Sequence, residues 1–187
     1  MTDPLPLVSV VIPALNAAET LGAQLEALAG QTVTVPWEIV VVDNNSTDDT
    51  AAVATRTVSH TACVVRVVHE PIRGLNRARN AGVRAARAPR VAICDADDRV
   101  APGWLAALID RLDHDDIVCG HLDVRSINSA EILALRGWSD TDAPFPSVGR
   151  EFGFLDQVIC GNVAFARDLW LRLDGFDERF ARGGDDV

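Results

Sequence analysis

Four short apolar runs in the first half of the chain are each followed within three residues by a polar one, and a stretch of different periodicity comes after each. Residues 7–13, 37–42, 63–68 and 90–94 read as strands. Their hydrophobicity is near continuous, the pattern of strands buried on both faces. Between the first two, Leu21, Leu25 and Leu28 fall on one helical face, which Gly30 ends. Asn16, with Glu19 three residues on, reads as the cap of that helix. Ser46 and Asp49 repeat the capping pattern before a second helix reaching toward Ser59. Residues 76–86 form an arginine-rich helix, and Pro102 suits the first turn of another running through Leu112. Strands at 117–124 and 159–165 and a short helix at 167–173 complete the pattern. Residues 126–151, with Gly137, Pro144, Pro146 and Gly149, read as a long loop. Strand–helix alternation predicts an α/β layer with a mostly parallel central sheet flanked by helices. Such sheets bind ligands outside the carboxyl ends of their strands. Asn16, Asp43 and Asp95 all follow strand ends and are predicted to converge on one crevice.

The fourth run ends in Asp95-Ala96-Asp97-Asp98. If the strand continued, Asp95 and Asp97 would share a face. Carboxylates held together without a partner repel one another, and a hard divalent cation such as Mg²⁺ or Mn²⁺ relieves that repulsion while bridging to phosphates. Before the motif, Pro71 to Cys94 carries Arg73, Arg77, Arg79, Arg84, Arg87 and Arg90 and no acid. Taken alone, the acidic motif reads more readily as a turn capping the next helix. Arg77, Arg84 and Arg87 read as a solvated helix face, and Arg79 divides evenly between substrate contact and surface.

With 187 residues, the chain suits one domain, and no run of 18 apolar residues suggests a membrane span. A net charge of −10 argues against nonspecific nucleic-acid binding. Cys63, Cys94, Cys119 and Cys160 lack metal or redox spacing and read as reduced thiols, three of them in apolar runs. The expected location is the cytoplasm, with contact at the inner membrane face left open. Trp37 and Trp104 read as core, and Trp138 as a residue that could meet an acceptor.

Taken in order, six segments resemble the family 2 inverting glycosyltransferases of GT-A fold. They are VSVVIPALN at 8–16, VDNNSTD at 42–48, GLNRARNAG at 74–82, DADD at 95–98, GNVAF at 161–165 with GFDE at 175–178, and GGDD at 183–186. The resemblance implies a nucleotide-diphospho-sugar transferase fold over residues 1–187 as a single domain, ending short of the C-terminal helices of relatives. It implies a nucleoside pocket lined by Pro13, Asn16, Glu19 and Asp43. Arg79 and Asn80 would lie near base and phosphates, and Asp95 near the ribose or the metal's water shell. Asp97 would ligate Mn²⁺ or Mg²⁺. Gly161 and Asn162 would border sugar and acceptor, and Asp186 would be the general base with Asp185 beside it. Leu15 and Asn44 stand where many relatives carry tyrosine and a second aspartate.

The implied reaction is metal-dependent, inverting transfer of a sugar from a nucleotide-diphosphate donor to a carbohydrate, lipid-linked or other hydroxyl acceptor. Such a leaving group is charged, so a metal on the diphosphate lowers the barrier, and inversion needs one base for the attacking hydroxyl. A non-catalytic nucleotide-sugar-binding module is the alternative. A dinucleotide oxidoreductase would carry G-x-G-x-x-G after the first strand, where Pro13-Ala14-Leu15-Asn16 stands instead.

Overall fold

A computed structural model describes residues 5–57, 63–121, 123, 129–135, 148–151, 155–158 and 160–180. The strands of the main sheet are β1 (Val8–Ala14), β2 (Trp37–Asp43), β3 (Val64–His69), β4 (Arg90–Cys94), β5 (Ile117–Cys119) and β8 (Asn162–Ala166). A separate antiparallel pair joins β6 (Val148–Glu151) to β7 (Leu155–Val158). The six strands lie in the order β3-β2-β1-β4-β8-β5. The first four positions are mutually parallel, and β8 runs antiparallel to both of its neighbours.

All seven residues of β1 are buried, because helices cover both faces. Val8, Val10, Ile12 and Ala14 pack with α1 (Leu21–Ala29), α2 (Thr50–Thr57) and α4 (Trp104–Arg111) through Leu21, Leu25, Leu28, Ala54, Leu105 and Leu108. Val11, Val40 and Val42 face the opposite layer, where α3 (Leu75–Ala85) and α6 (Arg167–Arg172) contribute Ala78, Val83 and Trp170. Alternate strand residues thus feed separate cores, as the two-residue repeat dictates. Gly82 lets α3 sit directly on the sheet. A Cβ there would lie 2.3 Å from Val11 Cγ1 and 3.0 Å from Val42 Cγ2.

β2 and β3 are added on one side of β1 through α1 and α2. α3 then crosses the other face and delivers β4 to β1's free side. The chain reverses direction there, and the crevice beyond the carboxyl ends of β1 and β4 is the ligand-binding position of such sheets. Because β8 is antiparallel, its start lies beside the end of β4, with Cys94 opposite Asn162.

The strand at 90–94 matches its expected bounds, and the other main elements differ by a few residues. Strand β5 stops at Cys119, short of 124, and the segment expected to be loop contains α5 (Ala130–Leu135) and β6. Two capping expectations need correction. α1 begins at Leu21, after Thr20, and Asn16 lies five residues before it with φ +51°. That left-handed backbone suits asparagine, whereas an N-cap needs the extended region. In the second loop, α2 begins at Thr50, four residues after Ser46; the Asp49 carbonyl accepts from the Val53 amide at 2.9 Å, and the Asp48 carboxylate accepts from the Thr50 amide at 3.0 Å.

At the opposite edge of the sheet, Glu38 locks three strands together. Its carboxylate, 2% exposed, accepts from Ser9 Oγ at 2.8 Å, the Arg87 amide at 2.8 Å and Arg66 Nε at 3.0 Å. Burial pushes its pKa up, but Arg66, the Arg87 amide and Ser9 together pull it below the ordinary glutamate range. Glu38→Ala is expected to cost about 3 kcal/mol, since it strands a partly buried guanidinium and two polar partners. A carboxyl lowered on folding stabilises above its unfolded pKa and loses that contribution as pH falls through its folded value. Urea titrations across the acid range should therefore show a shallower fall in the variant than in the parent.

Candidate functional site

The loops after β1 and β2 form one laced unit. Asn16 Oδ1 accepts from the Thr47 amide at 2.8 Å and from Thr47 Oγ1 at 3.2 Å. The Asn16, Ala17 and Ala18 amides donate in turn to Ser46 Oγ at 3.0 Å, Thr50 Oγ1 at 2.8 Å and Asp48 Oδ2 at 3.0 Å. Thr50's hydroxyl, with the Ala18 and Thr50 amides, holds the Asp48 carboxyl below its usual range. Pro13 and Asp43 are buried at this end, while Asn16 and Glu19 are exposed. Asp43 Oδ1 accepts from the Ser46 amide at 3.1 Å, and Oδ2 lies 3.4 Å from His69 Nδ1.

Asn44 is a buried hub that its sequence neighbours do not reveal. Its Nδ2 donates to the carbonyls of Glu70 at 3.2 Å and Ile72 at 2.7 Å, and its Oδ1 accepts from the Gly74 amide at 2.8 Å. Two of those three bonds require an N–H₂ group, which an aspartate lacks. Asn44 therefore shapes the loop leading into α3.

The acidic loop differs from its expectation in one respect. Strand β4 ends at Cys94, and Ala96 and Asp97 form a turn, so Asp95 and Asp97 do not alternate along a strand. Asp95 is half-buried, Asp97 exposed and Asp98 half-buried. Burial, and then the charge of Asp97, raises the Asp98 carboxyl above its ordinary range. Asp95 lies against Gly161 so closely that a Cβ there would stand 2.2 Å from Asp95 Oδ2. Asn162 is fixed beside it: Oδ1 accepts from Trp104 Nε1 at 2.7 Å, and Nδ2 donates to the His121 carbonyl at 3.1 Å.

Sequence reasoning missed two glutamines that hold this region. Gln24, fully buried, donates to the Asp95 carbonyl and accepts from the Val100 amide, both at 3.0 Å. Gln31 donates to the Ala101 carbonyl at 2.8 Å and accepts from the Leu105 amide at 2.9 Å. The available signal was Gln24's position between Leu21, Leu25 and Leu28, a polar residue in an otherwise apolar helical stripe.

On the other side, α3 grips the 175–178 turn. Asn80 accepts from the Phe176 amide at 2.9 Å and donates to the Phe176 carbonyl at 2.9 Å and Glu178 Oε1 at 3.0 Å. Glu178 pairs with Arg77 at 2.8 Å and Arg84 at 3.5 Å, so these arginines are not simply a solvated face. Arg79 is 2% exposed, bonded to Asn76 Oδ1 at 3.3 Å and lying 5.8 Å over the Phe176 ring. It is not surface, and it sits beneath the 175–178 turn. Arg84, by contrast, is exposed against Trp170. Asp185 and Asp186 lie outside the described residues, as does Trp138.

The open sheet, the laced loops at its switch point and the acidic loop beside β8 define an α/β protein of the GT-A class. The chain belongs to glycosyl transferase family 2, whose model matches residues 9–167. ExoU, a succinoglycan biosynthesis protein of Rhizobium meliloti, is 30% identical over 88% of this chain and 48% of its own. An uncharacterised glycosyltransferase of Mycobacterium tuberculosis is 46% identical over 60% of this chain and 47% of its own. The chain thus spans about half the length of the curated relatives it matches. TarS of Staphylococcus aureus shares the fold, with TM-score 0.70 and 22% identity over 96% of this chain and 32% of its own. The mannosyltransferase PcManGT of Pyrobaculum calidifontis, solved with GDP-Man and Mn2+, has TM-score 0.69 and 25% identity over 98% of this chain and 50% of its own. No helix among the described residues is long and apolar enough to cross a membrane.

Proposed function

We propose that residues 1–187 form a GT-A domain that transfers a sugar, with inversion, from a nucleotide-diphosphate donor to an acceptor hydroxyl in a metal-dependent reaction. The observation that carries this reading is that the Asp95–Asp98 loop and the two laced loops follow the carboxyl ends of adjacent parallel strands, β4 beside β1 and β1 beside β2. Pro13, Asn16, Glu19 and Asp43 line the nucleoside end, and Gly161 and Asn162 border the sugar and acceptor. PcManGT's complex with GDP-Man and Mn2+ supports a donor and metal of this kind.

The acidic turn suits a divalent cation. Its donors are hard oxygens. Among the described residues no three His, Cys, Asp or Glu side chains gather as a metal cage. Mg²⁺-type ions commonly take only one or two carboxylates and complete their shell with phosphate and water. Asp97 and Asp95 would hold the ion, which would neutralise charge on the diphosphate leaving group. Asp43, held by the Ser46 amide, would accept from the nucleoside. Asp186 would take the acceptor's proton, with Asp185 beside it. Arg79 and Asn80 act from behind the crevice, fixing the 175–178 turn.

A thermal-shift screen of UDP and GDP, each with and without Mn²⁺, tests the donor site. One nucleotide should raise the melting temperature by mass action, and more so with metal. No shift with any nucleotide would overturn the reading; donor binding without transfer to any acceptor would favour the non-catalytic module. Within the same assay, Arg79→Ala is expected to weaken nucleotide binding by about 0.5–2 kcal/mol, because it removes the support beneath the 175–178 turn. Arg84→Ala should stay near the parent. Equal losses would mean that buried Arg79 contributes no more than exposed Arg84, which reaches the same turn through Glu178.

A further inference from the structure

We propose that Gln24 is a positioning residue that staples the acidic turn at its neck and so sets the geometry in which its carboxylates receive the divalent ion. The inference rests on the metal-dependent reading above. Its ground is the pair of bonds from one amide: Nε2 to the Asp95 carbonyl and Oε1 from the Val100 amide, both 3.0 Å. Asp95 and Val100 are the two ends of the turn, and Asp97 and Asp98 lie between them.

Several features give this contact more weight than ordinary core packing. Gln24 is fully buried on the apolar face of α1, 71 residues from Asp95 in sequence. A buried amide is retained only when its polar atoms are satisfied, and here two partners are backbone groups of the same loop while the Cys94 thiol at the loop's start also bonds the Gln24 side chain. A side chain bonded to backbone fixes where the chain goes without consuming a carboxylate. The loop's side chains therefore remain available outward, with Asp97 exposed. Gln31 makes the same kind of double bond just downstream, to Ala101 and Leu105, but reaches no residue of the turn. It serves as the internal control.

Partners that orient metal ligands typically contribute 10–100-fold to metal affinity. The test substitutes Gln24→Met, which keeps the length and packing and removes both bonds, and Gln31→Met. Mn²⁺ is titrated calorimetrically into each protein in saturating GDP and, in a parallel series, UDP. Amide hydrogen exchange of the 96–99 segment is followed in metal-free protein. Gln24→Met should bind Mn²⁺ at least about tenfold more weakly and exchange 96–99 faster, while Gln31→Met lowers the melting temperature and keeps the parent's Mn²⁺ affinity. If Gln24→Met does not fold, Gln24→Leu carries the same expectation, because it too removes both bonds and keeps an apolar side chain at this buried position. Parent-like Mn²⁺ affinity in a folded Gln24 variant would overturn the inference and leave the functional reading standing. A parent that binds neither nucleotide with Mn²⁺ would overturn both. Equal affinity losses at Gln24 and Gln31 would also overturn it, by reducing the staple to general stability.

Discussion

Asp97→Asn is expected to weaken Mn²⁺-dependent nucleotide binding by at least about 100-fold while leaving the fold intact. The size follows from losing a direct ligand, which should exceed the 10–100-fold typical of residues one step further out. The intact fold follows from position. Asp97 is exposed on the turn, so the amide displaces nothing in the core. Removing its charge also relieves Asp98, whose carboxyl Asp97 helps to raise. The melting temperature without metal should therefore equal the parent's or lie slightly above it. Calorimetry with Mn²⁺ and nucleotide, alongside circular dichroism, separates the two effects. Unchanged affinity in a folded variant would place the ion elsewhere. Lost affinity with a collapsed melting temperature would show that Asp97 holds the loop rather than the metal.

The fold was largely legible because parallel strands buried on both faces leave continuous apolar runs, and the helices between them keep a 3.6-residue period. Val8–Ala14 and Arg90–Cys94 needed nothing more than this. The convergence of Asn16, Asp43 and Asp95 followed from parallelism, since strands that run together end together. Caps were misread because Asn16 and Ser46 obey the helix-start pattern while their actual partners lie about thirty residues away, across the two loops. Local sequence cannot distinguish a cap from a loop-to-loop bond, since the same short polar side chains serve both.

The same limit explains Asn44, Asn80 and Gln24. Each spends a side-chain amide on backbone groups far along the chain, and only the assembled sheet brings those groups within reach. Asn80 matched a motif that implies donor contact, yet its amide is engaged by the 176–178 segment, 96 to 98 residues away. Motif position can fix a residue's neighbourhood without fixing which neighbour it serves. Gly161 illustrates the reverse case. Its place in a motif was visible, but the reason for glycine was not, because that reason is Asp95 arriving from another strand.

Asp186→Asn is expected to keep nucleotide binding and to slow transfer by about 10²–10⁴-fold, the usual contribution of a positioned general base. The ground is chemical economy combined with chain order. Inverting transfer needs one group to take the acceptor's proton on the face opposite the leaving nucleotide, and an amide cannot take it. Asp186 closes the Gly183-Gly184-Asp185-Asp186 motif, soon after the Gly175–Glu178 turn that Asn80, Arg77 and Arg84 fasten to α3. Asn80 and Glu178 thereby anchor the approach to the motif on the same helix that flanks the crevice. Donor binding, read by thermal shift with Mn²⁺ and nucleotide, should match the parent because the acidic turn is untouched. Product formation should fall, with Asp185→Asn giving the smaller loss. A larger loss at Asp185 would transfer the base to that residue. Parent-rate transfer in both variants would remove the base from this motif altogether, while leaving the metal and donor assignments to stand on the Asp97 result.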